Sequence, residues 1–250
     1  MNSQKNKSSW KVRGGILFGF ILVWYLIELY IKPLSSEEHF VQGFDVSHYQ
    51  GSVQWTKIDN TLFPFAIAKA TGGETYIDPQ FHMNWHGMRQ NNIIRGAYHF
   101  FYAADDPQKQ AMQYLSVVKQ FMPTDLPPIL DLEITDNMSE VALRERSLVW
   151  LDFVEKQTQR RPIIYTDLFF AQRYLNDPRF SRFPLWIAAY QAKLVHLPTS
   201  WLGEGICQKT WCLWQHSQNG RVSGVDAPVD LNHFNGNFPS LLKFIKDSHQ

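Results

Sequence analysis

The segment Pro127-Pro128-Ile129-Leu130-Asp131-Leu132-Glu133-Ile134 sets two carboxyl groups two residues apart in an apolar, strand-like run. Side chains alternate along a strand, so Asp131 and Glu133 share one face while Leu130, Leu132 and Ile134 pack on the other. Two acids facing one way are costly to hide and suit proton transfer, since burial and mutual repulsion hold a proton on the pair. A strand emerging into solvent can carry the same letters, but two further acids support the chemical reading. Asp45 ends the run Gly43-Phe44-Asp45-Val46-Ser47-His48, and Asp230 lies in Ala227-Pro228-Val229-Asp230-Leu231-Asn232. Aromatic residues make up 15% of the chain, and Tyr98, Phe100, Tyr165, Trp186, Tyr190 and Trp214 all fall in strand-like runs. Each ring alone is ordinary core material; together with paired acids they suit a polar ligand with apolar faces, such as a sugar chain. A carboxylate pair in an aromatic groove is the equipment of glycoside hydrolysis, in which one acid protonates the leaving oxygen.

Such a groove needs a frame that brings distant strands to one mouth. Strand-like runs recur at Val41–Ser47, Phe65–Thr71, Arg95–Phe101, Pro128–Ile134, Pro162–Thr166, Leu185–Tyr190, Trp211–His216 and Val225–Leu231. Asp106-Pro107 is a cap followed by a first turn, after which Ala111, Leu115 and Val118 keep helical spacing. Ser139 opens a second helix with Leu148, Leu151 and Val154 on one side. Beyond about residue 180 no long helical pattern appears, so loops are expected between the last three strands. The pattern predicts an α/β fold: an irregular TIM-like barrel with β/α units in its first part and plain β-strands at its end. In a closed barrel of eight, the first and last strands are neighbours and the fourth lies roughly opposite, which sets the four acids on both walls of one mouth.

The first residues are of another kind. Lys5, Lys7, Lys11 and Arg13 precede an uncharged stretch from Gly14 to Ile27 that continues through Glu28 to Ile31. As a helix, residues 14–31 reach about 27 Å, near the hydrocarbon thickness of a bilayer. A cleaved signal has a shorter apolar region, and the best cleavage candidate here, Leu34-Ser35-Ser36, is poor. The reading is a cytoplasmic basic segment (1–13), a transmembrane signal anchor (14–31), a linker (32–39) and a catalytic barrel (40–250) on the outer side of the cytoplasmic membrane. If the signal is cleaved, the barrel is secreted. The first 38 residues hold five of the 24 basic and three of the 23 acidic side chains, leaving 19 against 20 in the body. So balanced a body argues against nucleic acid as a partner. Cys207 and Cys212 are too few for a zinc site; a small-loop disulfide and a pair of buried thiols both fit them. His82 and His86 have helical metal-pair spacing but lack a following Glu, and read as surface or packing residues.

In order and spacing, the motifs resemble the glycoside hydrolase family 25 muramidases, the Chalaropsis-type lysozymes, over about residues 41–238. They are Gly43-Phe44-Asp45-Val46-Ser47, Tyr49-Gln50-Gly51, Ala68-Lys69-Ala70-Thr71, Asp78-Pro79, Gly96-Ala97-Tyr98-His99-Phe100, Asp131-Leu132-Glu133, Ile164-Tyr165-Thr166, Leu185-Trp186-Ile187-Ala188, Leu213-Trp214-Gln215 and Val229-Asp230-Leu231-Asn232. The resemblance implies hydrolysis of the β-1,4 bond between N-acetylmuramic acid and N-acetylglucosamine in peptidoglycan glycan strands. It implies Glu133 as general acid, Asp131 as its partner, and Asp45 and Asp230 as supporting carboxylates, with no metal or organic cofactor. After Ala70-Thr71 the family usually has Glu-Gly; this chain has Gly72-Gly73, which alters a rim contact but not the acid pair. A catalytically inactive peptidoglycan-binding module is the alternative. A metal-dependent deacetylase would need a ligand set that His48, His99, His216 and His233 do not assemble in sequence. No oligomeric state follows from the sequence. If residues 14–31 are an anchor, the protein stays with membranes through alkaline carbonate washing and its body is digested by protease added outside; a soluble form beginning near Ser36 or Glu37 would show cleavage instead.

Overall fold

The computed structural model describes residues 40–190, 201, 207 and 211–249. The expected membrane segment and linker lie outside the described residues. Among those described, no helix is long and apolar enough to cross a membrane.

Among the described residues, nine strands form one sheet: β1 (Val41–Val46), β2 (Phe65–Gly72), β3 (Tyr76–Ile77), β4 (Ile94–Phe100), β5 (Ile129–Asp131), β6 (Ile163–Asp167), β7 (Leu185–Ala188), β8 (Leu213–Gly220) and β9 (Val229–Phe234). Eight of them close a barrel in the order β1, β2, β4, β5, β6, β7, β8, β9 and back to β1, and β3 hangs on β2 as a short extra ribbon. All barrel pairings are parallel except those of β9, which runs antiparallel to both β8 and β1. Every expected strand is present. β5 stops at Asp131, earlier than expected, and β9 runs from Val229 to Phe234 rather than from Val225 to Leu231.

Helices α1 (Phe81–Gln90), α2 (Pro107–Val118), α3 (Glu140–Thr158) and α4 (Leu168–Tyr174) cover the parallel strands, and α5 (Phe238–Asp247) follows β9. Asp106 caps α2 by accepting the N–H groups of Gln108 and Lys109, and Ser139 caps α3 by accepting that of Ala142. The caps therefore sit where the sequence places them. No helix occupies the β8–β9 connection. Helix α5 was not anticipated, although Leu241, Phe244 and Ile245 recur at helical spacing. Because β9 is reversed, it ends at the opposite end of the barrel from its acid, and α5 packs these three residues with Phe234, Ile129 and Ile163 as a floor. His82 and His86 both lie on the exposed side of α1.

Alternation divides the core into two layers. Phe65, Ile67, Ile129, Ile163 and Leu213 point into the barrel, while Phe44, Ala66, Ala68, Ala97, Leu130 and Ile187 meet the helices. Gly43 also faces inward, where an added Cβ would stand 2.3 Å from the ring of Phe65, so only glycine lets the two strands pack there. The approach to β5 is held by a buried ion pair. Arg95 makes bidentate hydrogen bonds of 2.9 and 2.6 Å to Asp125 and stacks on Trp85, and the main-chain carbonyls of Asp125 and Met122 accept from Arg160. Cys207 and Cys212 form a disulfide at the start of β8, which settles the two readings of that pair.

Candidate active site

Asp45 is the fifth residue of β1, and the antiparallel register sets Asp230, the second residue of β9, directly beside it. A parallel last strand would have carried Asp230 to the floor. Across the mouth, Asp131 ends β5 and Glu133 lies two residues beyond. Together with Tyr98, Tyr165, Trp186 and Gln215, the four acids line a cleft of about 90 Å³. The sequence reading thus converges on one place for all four carboxyl groups and for three of the six aromatic residues.

The other three stand differently. The Tyr190 hydroxyl reaches the site indirectly, donating to Gln215 Oε1 at 2.7 Å from a half-exposed position. Phe100 lies under the ammonium of Lys69, 4.7 Å from its ring centre. Trp214, expected in the groove, instead occupies the outward face of β8, its indole N–H donating to the Ala189 carbonyl and its ring set among Trp211, His216 and His233. Strand parity explains the difference, because Leu213 and Gln215 take the inward positions on either side of it.

Asp45 is 7% exposed and is held by two side-chain amides. Its Oδ2 accepts from Gln215 Nε2 at 2.9 Å and from Asn232 Nδ2 at 2.8 Å. Gln215 Oε1 in turn accepts the hydroxyls of Tyr165 and Tyr190, and Asn232 Oδ1 accepts the Trp186 indole N–H at 2.8 Å. Each amide is thereby oriented with its N–H toward the carboxylate. Gln215 and Asn232 were not picked out from sequence, yet period two from Leu213 and from Asp230 puts both on the inner face.

Burial, then the neighbouring Asp230, pushes the Asp45 carboxyl well above the usual range, against the pull of its two amide donors. Asp230 is itself pushed up to about 6, mainly by burial and then by the charge of Glu133. Asp131, 4% exposed, is raised well above the usual range by burial and by Glu133. Glu133 is raised by burial and by Asp167, with Asp131 and Lys69 opposing. Asp131 and Glu133 therefore titrate as one unit that keeps a proton above the ordinary carboxylate range. Among the described residues no protein N–H donates to the buried Asp131 Oδ1, and the carboxyl groups of Asp131 and Glu133 hydrogen-bond to each other.

The four histidines do not gather at this centre. His48 Nδ1 lies 2.8 Å from Asp78, and His216 stacks with His233 on the outward side of β8 and β9. His99 is buried: the Thr71 hydroxyl is 2.7 Å from Nδ1, and Gln110 Oε1 is 3.0 Å from Nε2 while also accepting the Tyr102 N–H. Nε2 must then carry the proton, and burial holds the ring neutral, with its pKa lowered to about 4.

Comparison with known proteins agrees with this geometry. The model of the family described as glycosyl hydrolases family 25 matches residues 44–225. This chain belongs to that family. An Escherichia coli K12 protein named only as uncharacterized YegX is 37% identical over 82% of this chain and 73% of its own length. Lysozyme M1 of Streptomyces globisporus is 32% identical over 81% and 70%. The crystal structure of a bacterial lysozyme from Streptomyces coelicolor superposes with a TM-score of 0.75 at 30% identity, covering 83% of this chain and 98% of that one. As a family 25 member the chain is a glycoside hydrolase of the muramidase class. The matched segment ends before Asp230, and the antiparallel pairing of β9 with β1 sets that acid beside Asp45.

The raised Asp230 carboxyl has a consequence for stability. The unfolded chain loses this proton near the ordinary value of 3.8 and the folded one near 6, so stability is greatest below the lower value and falls as pH rises to the upper one. Asp230→Asn removes that penalty. Its melting temperature should exceed wild type by a few degrees at about pH 7, with the gain vanishing below about pH 4. Thermal melts across this range test it, and an equal difference at both ends would contradict it.

Proposed function

We propose that this protein cleaves peptidoglycan at the β-1,4 bond between N-acetylmuramic acid and N-acetylglucosamine, with Glu133 as general acid. The observation that carries the reading is the hydrogen-bonded Asp131–Glu133 pair in the cleft lining, with no protein N–H among the described residues donating to Asp131 Oδ1. The relative named Lysozyme M1 and the similar lysozyme structure support the substrate class.

In the free enzyme the more deeply buried Asp131 competes strongly for the shared proton. A sugar bearing a 2-acetamido group brings an N–H donor to Asp131 Oδ1. That hydrogen bond favours the ionised form of Asp131 and transfers the proton to Glu133, where the leaving oxygen needs it. The ionised Asp131 then orients the amide and stabilises positive charge as the acetamide carbonyl oxygen attacks the anomeric carbon. The glycosidic C–O bond breaks as Glu133 delivers its proton, and water later opens the oxazolinium ion with net retention, using the Glu133 carboxylate as base. Asp45, fixed by Gln215 and Asn232, and Asp230 help to position the acetamide. Tyr98, Tyr165 and Trp186 line the path of the sugar faces.

A wall-binding module without turnover would gain nothing from crowding two buried and two half-buried carboxyl groups together, which costs stability at neutral pH. Residues 14–31 would hold the barrel outside the cytoplasm, where its polymer lies; this tether rests on the sequence. Glu133→Gln should fold and lose turnover by on the order of 10²-fold or more. Turbidity clearing of purified cell walls by a folded variant is the measurement, and near-normal clearing would remove Glu133 from its role.

A further inference from the structure

We propose that Asp167 is a positioning residue that helps hold the shared proton of the acid pair on Glu133 once substrate is bound and so sets the upper pH limit of turnover. The inference rests on the reading of Glu133 as general acid and deepens it.

The placement follows from strand register. Asp131 lies opposite Tyr165 across β5 and β6, and the pairing continues past the end of β5 through the Leu132 N–H, which donates to the Tyr165 carbonyl at 2.9 Å. Continued by two residues, this register carries Glu133 toward Asp167, and the Asp167 charge acts on the Glu133 carboxyl. Asp167 is the last residue of β6 and the N-cap of α4. Its Oδ1 accepts the Phe170 N–H at 2.9 Å, which fixes the side chain and leaves Oδ2 free of that bond. The carboxylate is thus held at the edge of the site by the helix start rather than by any role in the cleft lining.

On the other side stands a cation. Lys69 projects from β2 with its ammonium 4.7 Å from the Phe100 ring, 5.7 Å from that of Tyr76 and 5.9 Å from that of Tyr98. Phe100 is in register with Asp131, so the cation flanks the Asp131 side of the pair and Asp167 the Glu133 side. A proton shared between two carboxyl groups moves toward the one with the anionic neighbour. Lys69 opposes protonation of both members, and Asp167 favours protonation of Glu133. The other titratable groups facing Glu133 are Asp131 on its own segment, Asp45 on β1, Asp230 on β9, and the phenols of Tyr98, Tyr165 and Tyr190. None of these changes when Asp167 alone is replaced.

The test is kcat against pH on a soluble glycan fragment, since kcat reports groups in the substrate complex. Asp167→Asn and Asp167→Ser each keep an oxygen able to cap α4 and remove the charge. Each profile is scaled to its own maximum, with Glu133→Gln as the reference. The alkaline limb should move to lower pH by about 0.5–1 unit in both variants, while melting temperatures stay near wild type. Limbs within about 0.2 unit of wild type in the variants that fold would overturn the proposal. If Glu133→Gln stays active, the general-acid reading fails; if it is inactive and the limbs stay in place, only the role of Asp167 fails.

Discussion

Two buried and two half-buried carboxyl groups crowded at one end of a closed barrel do not all ionise at the ordinary pH, and this shortage of solvation governs the rest of the molecule. It requires protons to remain on the cluster near neutral pH, and it requires the surrounding amides to face their N–H groups inward. Gln215 and Asn232 do so only because Tyr165, Tyr190 and Trp186 donate to their oxygens. The reversal of β9 serves the same end. It brings Asp230 to the mouth beside Asp45 and sends the chain to the floor, where α5 completes the apolar plug.

The floor and the mouth divide the labour. Below, Arg95, Asp125 and Arg160 bind the start of β4, the approach to β5 and the end of α3 in one buried polar knot. Breaking such a knot by removing one partner costs about 3–5 kcal/mol, so it is a firm anchor for the short strand that carries Asp131. Above, the acids lower stability as pH rises, a cost that the floor and the two-layer core offset. Structural strength and chemical reactivity thus lie at opposite ends of the same strands.

Much of this was legible in the residues. The runs that became β2 and β4 stood out as strands, the caps at Asp106 and Ser139 marked two helix starts, and period two put Asp131 and Glu133 on one side. The failures have physical causes. Trp214 looked like a groove residue because an aromatic in a strand has two faces to choose from, and only the pairing of Leu213 and Gln215 with the barrel interior decides between them. The direction of β9 leaves no local mark, since both faces of a barrel strand read alike whichever way it runs. Helix α5 was hidden by its brevity, and Asp167 by its position: an acid before a helical turn reads as a cap until register sets it beside Glu133. Oxidation of Cys207 and Cys212 depends on their three-dimensional approach, which spacing alone leaves open.

The central claim is that Asp131, buried and hydrogen-bonded to Glu133, acts on the acetamide of the substrate rather than on water, leaving Glu133 to serve first as acid and then as base. Net retention distinguishes this from direct displacement by water. Proton NMR of the first-formed reducing end during cleavage of a chitooligosaccharide or glycan strand, read before mutarotation, measures it directly. The account predicts the β-anomer first; initial release of the α-anomer would contradict it and require one of the four acids to activate water from the opposite face.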